Sequence, residues 1–143
     1  MDIGSALLGP VLAVVALVAV TTAAGMLLRR TTGRARDARR VQVLGAADGI
    51  ELGARATLVQ FSSEVCSACV ATSRHLRELA GRREGVRHLE LDVAEHPELT
   101  GRLSVMQTPT TLILDPRGRV ATRIGGAPRP GTVEAELTRM TAT

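Results

Sequence analysis

Two cysteines, Cys66 and Cys69, are the residues of this chain best suited to chemistry. The sequence contains no other cysteine, and Ser67 and Ala68 separate the two. A secreted disulfide scaffold would carry more cysteines, spread along the chain. A single Cys-X-X-Cys pair closes a very short loop, so it is better suited to reversible redox chemistry or to half of a metal site.

The segments on either side of the pair predict where the two sulfurs lie. Residues 57–61 are an apolar run that indicates a buried strand, and residues 66–80 have the spacing of an amphipathic helix. The sulfurs therefore lie where a strand ends and a helix begins. Because free N–H groups and the helix dipole stabilise an anion there, we expect the pKa of the Cys66 thiol to be lowered.

Charge is distributed unevenly along the chain. All eighteen basic residues are Arg, and residues 29–40 contain six of them with one Asp, a net charge of +5. Residues 41–143 contain twelve Arg and twelve Asp or Glu, so this part is neutral. A neutral domain with one aromatic residue, Phe61, lacks the basic face and stacking groups of a nucleic-acid-binding domain. We therefore expect no nucleic-acid partner.

Residues 3–28 carry no charge and predict a transmembrane helix. As a helix they would be about 39 Å long, which exceeds the hydrocarbon core of about 30 Å. A cleaved signal peptide is the alternative. Against it, the two residues that precede the run have no positive side chain, and the run is longer than an ordinary signal core.

The basic residues that follow predict the orientation of this helix. Arg-rich flanks remain on the cytoplasmic side, so we expect an outside N-terminus, a juxtamembrane linker over residues 29–40 and a cytosolic domain over residues 41–143. The same arginines are expected to contact anionic lipid headgroups. A solvated linker without lipid contact is the alternative.

The order of the remaining segments predicts an α/β fold. Besides the strand and helix at the cysteines, we expect strands at 41–44, 86–93, 110–114 and 119–124, and helices at 97–103 and 132–140. Residues 45–53 should form at most one helical turn. This order predicts a mixed sheet flanked by helices, with the cysteines at the C-terminal end of a central strand, where open α/β sheets carry their ligand chemistry.

Taken together, these motifs resemble a thioredoxin-family domain over residues 41–140. The resemblance depends on the strand that ends in Phe61, on the Cys-X-X-Cys that opens a helix, and on Thr108-Pro109-Thr110 about forty residues later. It implies a thioredoxin-like sheet and a thiol–disulfide oxidoreductase that exchanges disulfides with protein substrates. A separate thiol must then regenerate the dithiol, and we expect no cofactor, no metal and a monomer.

The resemblance also implies a role for each site residue. Cys66 is the exposed nucleophile and Cys69 the buried resolving thiol. Thr108 and Pro109 form a cis peptide beside the sulfurs, with the backbone of Thr108 available to an extended substrate. The alternative is that Pro109 only ends a helix.

The chain departs from the family pattern at several positions near the cysteines. Ser67-Ala68 replaces Gly-Pro between them, and Gln60 occupies the position of a buried Asp thought to accept the proton of the resolving thiol. Glutamine cannot titrate, so we hypothesise that Glu90, on the neighbouring strand, takes over as proton acceptor. Glu64 is a second candidate, and the alternative for Glu90 is an ordinary surface residue.

The sequence is also compatible with two other functions. One alternative is a thioredoxin-like binding module with little turnover, and another is an extracytoplasmic oxidoreductase for disulfide maintenance or cytochrome maturation. His75, His88 and His96 are isolated from one another in the sequence, and no second cysteine pair completes a set of zinc ligands.

Overall fold

The computed structural model describes residues 3–37 and 42–141. The chain forms two compact units, Met1–Thr32 and Gly33–Thr143. In the first unit, helix α1 (Ile3–Thr31) is continuous through Pro10. Among the described residues, this helix alone has the length and apolar composition to cross a membrane, a property that a signal sequence shares.

The second unit alternates strands and helices as the sequence predicts. Its strands are β1 (Ala35–Asp37), β2 (Ala56–Ser62), β3 (Val86–Asp92), β4 (Thr110–Leu114) and β5 (Val120–Gly125). Its helices are α2 (Ser67–Gly81), α3 (Pro97–Arg102) and α4 (Thr132–Thr141), and a single 3-10 turn spans Ala46–Asp48.

The five strands form one mixed sheet in the order β1-β5-β4-β2-β3. Strand β2 is parallel to β3 and antiparallel to β4, and β5 is antiparallel to β4 and β1. The end of β2 therefore lies beside the end of β3 and the start of β4. The predicted mixed α/β sheet is confirmed, and its central strand leads into the cysteine pair.

Apolar side chains alternate between the two faces of the sheet, and each face has its own core. Leu58 of β2 packs with Leu76 of α2 and Leu137 of α4 on one face. Val59 and Phe61 pack with Leu99 and Leu103 near α3 on the other. Because Phe61 is the one aromatic residue, aliphatic side chains fill most of both cores, and helices cover both faces as expected.

Strand β1 differs from the prediction in position and partner. It lies within residues 29–40, where we expected a linker, and it pairs with β5 through Ala35 opposite Ile124. Of the edge strand expected at residues 41–44, Val43 forms an isolated bridge with Arg119, and Val41 lies outside the described residues. Strand β1 is three residues long, and of these Ala35 packs against a core, so the sequence is too short to show apolar alternation and gives no strand signal.

The hairpin between β4 and β5 has the turn that its sequence predicts. The Asp115 carboxylate accepts hydrogen bonds from the backbone N–H groups of Arg117 and Arg119, at 2.8 and 2.9 Å. Burial opposes ionisation, but these bonds and the Arg119 guanidinium hold the pKa of Asp115 below its ordinary value.

Candidate active site

Cys66 occupies the position immediately before helix α2. Its backbone is extended, with φ −96° and ψ 96°, and its Sγ accepts a hydrogen bond from the backbone N–H of Cys69 at 3.2 Å. The sulfur thus caps one of the free N–H groups at the start of a helix. This geometry is the one on which the expected lowering of the Cys66 pKa depends.

The two cysteines are joined as a disulfide, with their Cα atoms 5.3 Å apart. Cys69 is buried, with only 3% of its surface exposed, whereas Cys66 is partly exposed. A partner sulfur can therefore approach Cys66 more easily than Cys69. The difference agrees with the nucleophilic and resolving roles that the resemblance implies, and those roles stay predictions.

The loop before β4 lies beside the end of β2. The Thr108–Pro109 peptide is cis. The hydroxyls of Ser63 and Thr108 are 3.3 Å apart, and Ser63 lies three residues before Cys66. Within the described part of the chain, the backbone N–H and C=O of Thr108 join no backbone hydrogen bond, and their pairing with an extended substrate stays a prediction.

Gln60 contacts the backbone of Cys69 from the buried side of helix α2. Its side chain is fully buried on β2, and its amide donates a 3.0 Å hydrogen bond to the Cys69 carbonyl. The bond ties the first turn of α2 to the central strand. The sequence showed only that an uncharged amide replaces an acid there, because the carbonyl that it contacts belongs to a different element.

Glu90 lies directly across from Gln60 in the register of β2 and β3. Its carboxylate accepts a 2.6 Å hydrogen bond from Ser73, whose hydroxyl also accepts a 3.1 Å bond from Arg77. Ser73 is one helical turn beyond Cys69. The structure thus links Glu90 to α2 near the resolving cysteine, but no described hydrogen bond joins Glu90 to Cys69 itself.

His88 is a histidine whose pKa is changed by burial in the fold. It lies on β3 opposite Leu58, and burial lowers its pKa, with Arg77 acting in the same direction and Glu90 opposing. The Nε2 atom of His75 lies 3.5 Å from a carboxylate oxygen of Glu134 on α4. In residues 3–37 and 42–141, no group of three His, Cys, Asp or Glu side chains is arranged to hold a metal ion.

Three exposed apolar side chains flank the segments that carry the site. Val65 precedes Cys66 and is 96% exposed, Val70 follows Cys69 and is 63% exposed, and Met106 lies on the loop before Pro109 and is 89% exposed. These side chains leave apolar surface in water on the segments that carry the cysteines and the cis peptide.

Comparison with known proteins agrees with this geometry. The thioredoxin family model matches residues 48–139, which is more than half of the chain. Chloroplastic thioredoxin z is 21% identical with a TM-score of 0.56, over 63% of this chain and 81% of that one.

Two further solved structures show the same fold. The thioredoxin of Fasciola hepatica is 24% identical with a TM-score of 0.54, over 62% of this chain and 83% of that one. Mitochondrial thioredoxin 3 from Saccharomyces cerevisiae is 25% identical with a TM-score of 0.53, over 59% of this chain and 78% of that one. No curated protein matches the chain.

The matched region contains strands β2 to β5, the disulfide and the cis peptide. A thioredoxin fold with a cysteine pair at the start of α2 is that of a thiol–disulfide oxidoreductase. The chain therefore belongs to the thioredoxin family.

Proposed function

We propose that this protein is a membrane-anchored reductase of protein disulfides whose redox domain lies in the cytosol. The observation that carries the proposal is the placement of Cys66. Cys66 is partly exposed, and its sulfur accepts an N–H bond at the start of α2 and is already paired with the buried Cys69. Members of the thioredoxin family act on protein disulfides and are re-reduced by other thiols.

The reaction follows from the two sulfurs. The Cys66 thiolate attacks one sulfur of a substrate disulfide, forms a mixed disulfide and releases the other substrate sulfur as a thiolate that takes up a proton. Cys69 then loses its proton and attacks Cys66, which releases the second substrate thiol. The substrate gains two electrons and the pair becomes Cys66–Cys69 disulfide. An external dithiol supplies the two electrons that restore it.

The properties of α1 support the anchor. Residues 3–28 carry no charge, and the window Gly9–Leu27 is long and apolar enough to cross a bilayer. The hydroxyls of Thr21 and Thr22 donate to carbonyls one turn earlier, at 2.7 to 3.0 Å, so these polar groups are satisfied within the helix. The six arginines that follow favour the cytosolic side for the domain.

Reduction of insulin by dithiothreitol tests the activity directly. The full-length protein in detergent micelles should accelerate the reaction well above the rate of dithiothreitol alone. Cys66→Ser should return the rate to that background, and Cys69→Ser should accumulate a mixed disulfide because the resolving thiol is missing. Failure of the wild-type protein to accelerate the reaction, together with tight binding of insulin, would instead indicate a binding module.

A further inference from the structure

The folded domain begins at the same end of the sheet as the redox site. The backbone N–H of Gly33 donates to the carbonyl of Gly125 at 2.7 Å, and Arg129 donates to the carbonyl of Gly33 at 3.3 Å. Strand β1 then runs antiparallel to β5, away from this end. The first residue of the domain is therefore held against the C-terminal end of β5.

The C-terminal end of β5 lies at the same edge of the sheet as the candidate active site. Gly125 pairs with Thr110 at the start of β4, and Thr110 pairs with Phe61 near the end of β2. The backbone N–H of Gly126 donates to the carbonyl of Pro109 at 2.7 Å. Three strand spacings of about 4.8 Å separate β1 from β2, so roughly 14 Å of sheet lies between the start of the domain and the strand that leads to Cys66.

Gly33 is closely packed where it meets the end of β5. Its φ is +73°, which favours glycine, and a Cβ at this position would collide with the carbonyl oxygen of Ala127. Gly33 is also buried. The close packing of the Gly33 backbone fixes the point at which the chain enters the domain.

The number of residues between the apolar run and Gly33 limits how far that entry point lies from a bilayer. The run ends at Leu28, and residues 29–32 are all that precede Gly33. Even fully extended, the five peptide steps from Leu28 to Gly33 span about 17 Å. The headgroup layer takes up roughly 5–7 Å of that length, so Gly33 lies within about 10 Å of the headgroups. The limit follows from chain length alone and holds for any direction of the helix.

We propose that the substrate of this reductase is a disulfide carried by another membrane protein, within the first few residues outside its own membrane span. The inference rests on the proposed function, because it needs both the thiol chemistry and the anchor. Because the domain is attached to the membrane helix at the end of the sheet that carries the cysteines, the cysteines stay near the bilayer surface. The exposed Val65 and Met106 at that end suit the apolar residues found where a span leaves the membrane.

Two disulfide probes of different height test the proposal with the full-length protein in liposomes. Each probe is a single-span peptide bearing a fluorescent peptide on a disulfide, either four residues from the span or beyond a helical rod of forty residues, about 60 Å long. With dithiothreitol as reductant, we expect release from the near probe to be at least ten-fold faster. In detergent micelles, which remove the shared membrane plane, the two rates should be equal.

A spacer variant is the matched control. A twenty-residue helical insert between Thr32 and Gly33 lengthens the tether by about 30 Å and leaves the Gly33–Gly125 bond in place. It should reduce the ten-fold preference for the near probe to less than two-fold. Equal rates for the two probes in liposomes, or a preference that the insert does not change, would overturn the inference. Absence of release from both probes in micelles would instead refute the proposed reductase activity.

Discussion

At the scale of single residues, the site divides into groups that the sequence identifies and groups that only the folded chain brings together. Cys66, Cys69, Thr108 and Pro109 are found by short-range motifs at fixed spacing. The contacts of Gln60 with Cys69 and of Ser73 with Glu90 depend on the register of β2, β3 and α2. Register is a property of the whole sheet, so no local pattern could have revealed these contacts.

Glu90 remains the candidate proton acceptor for Cys69. We expect Glu90→Gln to slow resolution of the mixed disulfide by about ten-fold or more, since loss of a positioned base costs at least that much. Rapid-mixing kinetics that follow release of a fluorescent thiol from Cys66 measure this step. The pH profile of resolution should also lose one ionisation, which a merely structural effect would not remove.

Glu78→Gln is the matched control, because Glu78 lies on the exposed face of α2 and its carboxylate pairs with Arg82 of the same helix, at 3.9 Å. Glu64→Gln tests the second candidate acceptor. A resolution rate and pH profile unchanged in Glu90→Gln would dispose of the hypothesis and leave Glu90 as a partner of Ser73.

His88 should make the stability of the domain depend on pH. Burial lowers the pKa of His88 below its ordinary value of 6.5, so the folded state holds fewer protons than the unfolded chain between those two pKa values. Stability therefore falls as the pH drops below about 6.5 and levels off below the folded pKa. In urea unfolding between pH 7.5 and 5, His88→Gln should show a shallower loss. Identical slopes for the two proteins would contradict this assignment.

At the scale of elements, the spacing of apolar residues predicts nearly all the strands and helices that have one face buried. Strands β2 to β5 and helices α2 to α4 all lie within one or two residues of the expected bounds, since each has one side against a core. Strand β1 was missed because it is three residues long, with Ala35 packed against a core and Arg36 and Asp37 exposed. A strand with one residue against a core is too short to show a hydrophobic period.

The attachment of β1 should be sensitive to a single methyl group at Gly33. Gly33→Ala adds both the strain of a positive φ and a collision with Ala127, and we expect it to lower the free energy of unfolding by about 2 kcal/mol or more. Gly131→Ala is the control. Its φ is +76°, but no atom lies within 4 Å of the added carbon, so it should cost only about 1 kcal/mol.

Urea unfolding of a fragment comprising residues 32–143, followed by circular dichroism, measures both variants. Equal losses for Gly33→Ala and Gly131→Ala would mean that the contact with Ala127 relaxes freely and that β1 is only loosely held at that point.

At the scale of the whole molecule, the arrangement of charge decides the orientation that we propose. The neutral domain offers little directional signal, whereas residues 29–40 carry a net charge of +5 immediately after the apolar run. Replacement of all six arginines in that segment by Gln should therefore produce a mixture of orientations. Reporter fusions at the C-terminus, active on one side of the membrane only, measure the ratio. A wild-type domain located entirely outside would refute the cytosolic assignment.

The order of the strands has a consequence for proteins crowded in a plane. The two borders of the sheet are β1, which is three residues long and exposes Arg36 and Asp37, and β3, which exposes Arg87 and Glu90. Short or charged borders resist strand addition by a neighbour. Copies confined to one bilayer would collide far more often than copies in solution. The polar edge strands disfavour edge-to-edge pairing between the sheets of colliding copies.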